Sequence, residues 1–161
     1  MEDHNDLEKL KEKYKLLKEK YSLPDFKELN ENFQIEKIAE IETEFILKEV
    51  RRFMTDKFFN YLRFIESLIN PTNAPMFVFA IAKTLGVGER EKLVEIYKKI
   101  TKIELDLIDF DLYYSEEKEA ESIKNYWTFW NEIKKQLFDV IEVVRKNLDN
   151  KQEDNGKGYF G

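Results

Sequence analysis

Carboxylates are the side chains whose number and spacing in this chain could do chemistry. Glu104, Asp106, Asp109 and Asp111 form one cluster, and Glu36, Glu40, Glu42 and Glu44 form another. Facing acidic helices can hold divalent metal ions, which activate water or polarise a phosphate. Two helical arrangements of that kind make definite demands. A di-iron bundle needs Glu-x-x-His on two helices, and the lone histidine, His4, stands in no such spacing. The all-α nucleotide pyrophosphatase pattern wants Glu-x-x-Glu on one helix and Glu-x-x-Asp on another. Glu28-x-x-Glu31 and Glu116-x-x-Glu119 supply the first half, and no segment supplies the second. Most of these acids also fall off the apolar seams described below, as solvated charges do. Asp106 and Asp109 stand apart, because their helix carries apolar residues on both sides. They are the pair at which a metal would sit if the protein were an enzyme.

Other chemistries are narrower still. The chain has no cysteine, so it has no disulfide, thiolate metal site, iron–sulfur cluster or cysteine nucleophile. One histidine near the N-terminus leaves no base for a histidine relay. Gly86-Val87-Gly88 lacks the Lys-Ser/Thr and the preceding strand of a phosphate loop, and no Gly-x-Ser-x-Gly elbow occurs. The reading is a protein without catalysis, cofactor or metal.

Charge narrows the partners. The net charge is -6, which opposes broad binding to nucleic acid. A basic patch does exist on the first helix, where Lys9, Lys11, Lys13, Lys15, Lys18 and Lys20 surround Tyr14 and Tyr21. Glu8, Glu12 and Glu19 dilute it, so contact with RNA or the ribosome is an alternative rather than the leading expectation. The N-terminus is acidic and polar, unlike a secretory signal. The most apolar stretch, residues 74–85, is too short to span a bilayer. These features predict a cytoplasmic protein without membrane contact. Enrichment in lysine and glutamate without cysteine fits a thermophile, or equally an AT-rich prokaryotic genome.

The elements that carry these residues read as helices. Leu7, Leu10, Tyr14, Leu17 and Tyr21 recur at spacings of three and four and predict a narrow-seamed N-terminal helix, loosely packed, ended by Pro24. A short amphipathic piece with Phe26, Leu29 and Phe33 follows. Residues 35–69 contain no proline or glycine, which predicts one rod of roughly 50 Å. Its stripe is Leu47, Val50, Met54, Phe58, Tyr61, Ile65 and Leu68. Phe45, Phe53, Leu62 and Ile69 widen it, so the C-terminal half of the rod is expected to be the more buried. Asn70 to Pro75 is the clearest break, with Thr72 or Asn73 as the expected cap of a short buried helix, Met76 to Ala82. That helix is apolar all round, so it is either surrounded by others or keeps one face for a partner. Gly86 is placed to end it.

Leu93, Ile96, Ile100, Ile103, Leu107, Phe110 and Tyr114 then repeat strictly, and Ser115 can cap a last helix with Ile123, Trp127, Trp130, Ile133, Leu137, Val140, Val144 and Leu148 on its core face. Tyr126, Trp127, Phe129 and Trp130 span more than one face of it, and packing against Phe58, Phe59 and Phe64 is favoured over an interface. The whole is an all-α, single-domain helical bundle over residues 1–148. Three long helices, a short buried helix and a loosely packed N-terminal helix compose it, with a flexible polar tail at 149–161. Strict seams also permit a homodimer.

The tail ends Tyr159-Phe160-Gly161. An apolar end with a free carboxylate, on a polar tether, is built like a short docking motif. It resembles the C-terminal docking signal of proteasome activators, which reads hydrophobic residue, tyrosine, any last residue. The resemblance covers three residues. It implies that Tyr159 fills the hydrophobic position, that Gly161 offers its carboxylate to a lysine between subunits of the proteasome's outer ring, and that Phe160 stands where the pattern has tyrosine, without the hydroxyl. The expected function is therefore docking of a protein partner, as adaptor, regulator or assembly factor, with a proteasome-docking regulator as the specific alternative. The expected contact residues are Tyr159, Phe160 and Gly161 in the tail and Met76, Phe77 and Phe79 on the short apolar helix.

Overall fold

The computed structural model describes the backbone of residues 2–157 and the side chains of residues 5–151. The protein is all-α, with no strand among the described residues. In chain order it comprises α1 (Glu2–Tyr21), α2 (Phe26–Phe33), a 3-10 turn (Ile35–Glu40), α3 (Ile46–Ile69), a second 3-10 turn (Pro71–Asn73), α4 (Met76–Ala82), α5 (Val87–Leu112) and α6 (Glu116–Lys157). The three long helices are α3, α5 and α6. Among the described residues no helix is long and apolar enough to cross a membrane.

Several boundaries differ from the expectations of pattern alone. The rod expected from residue 35 is shorter: α3 starts at Ile46 and has 24 residues, about 36 Å of helix. Ile41 is extended, and the Thr43 hydroxyl accepts the Phe45 N–H at 3.0 Å, a local bond that competes with helix. Burial along α3 is also not weighted to its end. Leu47, Val50, Arg51, Met54 and Thr55 are buried in its first half as fully as Phe58, Leu62, Ile65 and Leu68 in its second. Neither Thr72 nor Asn73 caps α4. Pro75 holds that position without a side-chain bond, and α4 stops at Ala82, before Gly86. Ser115 does cap α6, its hydroxyl accepting the Lys118 N–H at 3.3 Å. α6 continues through Lys157, so residues 149–157 of the expected tail are helical. Residues 158–161 lie outside the described residues.

The chain groups into two compact units, residues 1–59 with 103–130 and residues 60–102 with 131–161. In the first, α1 is held at its middle: Leu10 and Tyr14 are buried, Leu7, Leu17 and Tyr21 half-buried. The Tyr14 hydroxyl donates to the Pro24 carbonyl at 2.7 Å, and its ring meets Phe26 edge-on. α2 ends at Gln34, which is left-handed at φ 56° and returns its N–H to the Asn30 carbonyl. Ser22, after α1, is left-handed too, at φ 57°. Asn30 then locks the following turn, since its amide takes the Glu36 N–H at 2.8 Å and donates to the Glu36 carboxylate at 2.9 Å.

Phe58 of α3 centres the core of this unit. Its ring packs on Phe33, Tyr126, Phe129 and Trp130, with centroids 5.4–6.1 Å away. Tyr126 and Trp130 are thus buried and Trp127 and Phe129 half-buried, and the expected packing on Phe58 is present for Tyr126, Phe129 and Trp130. The Trp130 indole N–H donates to the Asn32 side chain at 2.8 Å, and the Lys57 ammonium lies 4.7 Å over the Trp130 ring. In the second unit Leu62, Ile65, Leu68, Ile81, Ala82, Leu93, Ile96, Ile100, Ile133, Val140 and Val144 are buried. The Asn147 amide donates to the Thr84 carbonyl at 2.9 Å, and Lys99 pairs with Glu132 at 2.9 Å.

Candidate functional site

α4 is a single short helix, seven residues long, started by a proline and stopped by a turn. Pro75 fixes an extended entry and its carbonyl accepts the Phe79 N–H at 3.0 Å. The Thr84 hydroxyl donates back to the Ile81 carbonyl at 2.7 Å. Burial then divides an all-apolar sequence along its length, since exposed Phe77 and buried Ile81 are four residues apart and share one side of the helix. Ile81, Ala82 and Thr84 are buried and Val78 is half-buried. Met76, Phe77 and Phe79 face water at 90%, 72% and 42% exposure. The helix expected to be buried is thus buried at its C-terminal end, and its first turn is exposed. The Lys83 ammonium lies 4.5 Å over the Phe79 ring, a cation–π contact that leaves the rest of the patch uncovered. Three large apolar side chains on seven residues offer desolvation and contact area, and no reacting group.

The other expected site residues separate. Tyr159, Phe160 and Gly161 lie outside the described residues. Asp106 and Asp109 are exposed on α5. The Tyr126 hydroxyl donates to Asp106 at 3.2 Å, and Tyr126 titrates above its usual range, first because it is buried and then because of the Asp106 charge. Among the described residues no three histidine or carboxylate side chains gather as a metal site would require. Glu36 is taken by Asn30. Glu40 and Glu42 border an open recess of about 410 Å³ between α1 and the 35–46 segment, with Asp6, Lys9 and Lys13 opposite.

Four of the six lysines of α1 are engaged with acids. Lys9 meets Asp6 at 3.1 Å and Lys11 meets Glu8 at 2.8 Å. Lys18 pairs with Asp25, and Lys20 reaches Glu116 at 3.2 Å. Glu116 also accepts the Tyr21 hydroxyl at 2.7 Å. That bond, with Lys20 beside it, holds the Glu116 carboxyl below its usual range. The basic face of α1 is in large part an ion-paired surface.

Two arrangements were not foreseen as such. Arg51 and Glu119 form a buried ion pair, their side chains 7% and 1% exposed. The guanidinium donates twice, at 2.5 and 3.2 Å, and stacks 4.7 Å over Phe110. No pattern in the sequence marks a pair separated by 68 positions. The second is an outward stripe on α5, Leu105, Ile108 and Leu112, each more than half exposed. Its signal was present: these residues keep helical spacing but fall off the Leu93-to-Tyr114 seam. Comparison of the chain with protein-family models, with curated proteins and with solved structures finds no match.

Proposed function

We propose that the protein is a non-enzymatic protein-interaction module, an adaptor, regulator or assembly factor of the cytoplasm, that docks a partner protein through α4 and its C-terminal Tyr159-Phe160-Gly161. The observation that carries this reading is α4. Met76 and Phe77 are 90% and 72% exposed at the start of a helix whose last two residues, Ile81 and Ala82, are buried. Exposed aromatic and thioether side chains on a rigid support are what interface anchors are made of, and contiguous exposed apolar surface is uncommon unless it is used. Tyr159 and Phe160 add two aromatic rings, side chains that suit a pocket on a partner.

The experiment is a paired affinity purification with three baits: the full chain, a chain stopping at Gly158, and Met76→Ser/Phe77→Ser/Phe79→Ser. A partner held by the full chain and lost from either altered bait supports the reading. Identical partner sets from all three baits count against it. Retention of the 20S proteasome ring by the full chain, with loss on truncation, identifies the proteasome-docking form of the same reading.

A further inference from the structure

The end of α5 is a platform with one face seated and one face bare. On the seated side Ile103 is buried, Leu107 and Phe110 are half-buried, Phe110 stacks on the Arg51 guanidinium at 4.7 Å, and Asp106 accepts the Tyr126 hydroxyl at 3.2 Å. On the bare side Leu105, Ile108 and Leu112 are 64%, 57% and 66% exposed. At about 100° per residue these three fall within an arc of roughly 60°. The same geometry sets Glu104 and Asp111 along one border of the stripe and Asp109 along the other. All three acids are exposed. From Ile103 to Glu117 the sequence holds six carboxylates and no lysine or arginine.

Each part of this face is unfavourable as it stands. Aliphatic side chains face water. Glu104 and Asp111 on one border and Asp109 on the other set like charges beside the stripe, with Lys102 two turns before Asp109 on the latter side. The last turn of α5 carries acids and no basic residue, where the helix carbonyls already concentrate negative charge. One kind of occupant relieves all three at once. A second copy of the same face does not, because pairing the stripe with itself brings Glu104, Asp109 and Asp111 against their own duplicates. An anionic lipid surface is repelled by the same carboxylates.

We propose that the Leu105–Ile108–Leu112 face of α5 is a docking site for an amphipathic helix of a partner protein, with an aliphatic stripe bordered on both sides by lysine or arginine. The stripes join by apolar burial in the helix-on-helix manner, and the acidic borders select the basic partner and its register. This site is independent of the α4 and tail reading.

The test uses the full chain and a fluorescent model peptide of leucine and lysine, with leucine at i, i+3, i+4 and i+7, beside a twin carrying glutamate in place of lysine. Anisotropy reads binding at low and moderate salt. The lysine peptide binds and the glutamate twin does not. Ile108→Asp, at an exposed position and with circular dichroism confirming its fold, weakens binding by about tenfold or more. Nonspecific attraction to an acidic protein would strengthen instead, since that variant adds negative charge. Glu104→Lys/Asp109→Lys/Asp111→Lys reverses the preference, so that the glutamate twin binds. Met76→Ser/Phe77→Ser changes nothing. The proposal is overturned if the full chain does not bind the lysine peptide, if Ile108→Asp leaves binding intact, or if the charge reversal fails to exchange the two peptides. A dimer in sedimentation that Ile108→Asp dissociates would likewise overturn it, in favour of a second copy.

Discussion

Arg51 and Glu119 show what a single pair of residues can cost and return in this protein. Two charges taken out of water are stabilising only while both are present and well bonded, and here the guanidinium donates twice to one carboxylate. Removing either partner strands a buried charge. Glu119→Gln and Arg51→Met are each expected to lose about 3–5 kcal/mol in urea unfolding, and Arg51→Met/Glu119→Leu to recover most of it. A double variant as unstable as the sum of the singles would show that the pair contributes no coupling. Tyr14 works by a neutral bond: Tyr14→Phe is expected to lose about 1 kcal/mol through the unpaired Pro24 carbonyl, with the fold retained. Glu116 has a pH signature. Its carboxyl is held low by the Tyr21 hydroxyl and Lys20, so its contribution is complete above the ordinary carboxylate range and disappears as pH falls through the lowered value. Thermal midpoints of the unaltered chain and of Tyr21→Phe are therefore expected to differ at neutral pH and to converge in acid. Convergence on the alkaline side instead would assign the effect to another group.

Elements obey simpler rules, and most of them were legible before the structure. The seams of α5 and α6 read directly because apolar residues recur at helical spacing, and Ile96, Ile100, Ile123 and Ile133 are buried where that spacing puts them. The start of α3 was not legible. Its interruption lies at Ile41 to Phe45, a stretch with neither proline nor glycine, and follows from one threonine hydroxyl taking a backbone N–H. α4 was ambiguous for a physical reason. A helix apolar on every side has no pattern from which to read which part is covered, and only the packing of Ile81, Ala82 and Thr84 at its end decides it. The buried ion pair was illegible because its partners sit on different helices. Of the candidate site, the α4 trio was named from sequence, while the α5 stripe was visible only as residues that failed to fit the seam. If the α4 trio faces water for the sake of a partner, its loss leaves the isolated protein unharmed. Met76→Ser/Phe77→Ser is expected to shift stability by no more than about 0.5 kcal/mol per site. A larger fall in the thermal midpoint would make these side chains part of the core.

At the scale of the whole molecule the chain has a built-in division of signals. Both tryptophans, Trp127 and Trp130, belong to the unit of residues 1–59 and 103–130, so their fluorescence reports that unit alone, whereas far-ultraviolet dichroism reports every helix. The two probes are expected to give one coincident transition in urea, as all-or-none unfolding of a single domain does. Phe58→Ala, which empties the centre of the aromatic core, is expected to lower it by about 3–5 kcal/mol in both probes together. Separate midpoints would show that the units unfold independently.

The two left-handed corners, at Ser22 and Gln34, carry a last consequence, for protein engineering. Both side chains are exposed on a backbone that costs an ordinary residue about 1 kcal/mol and costs glycine almost nothing. Exchanging them for glycine releases strain without disturbing a packed contact, although the looser unfolded chain takes back part of the gain. Such a variant would tolerate a damaging core substitution better than its parent, and would be the natural background in which to make the interface variants above.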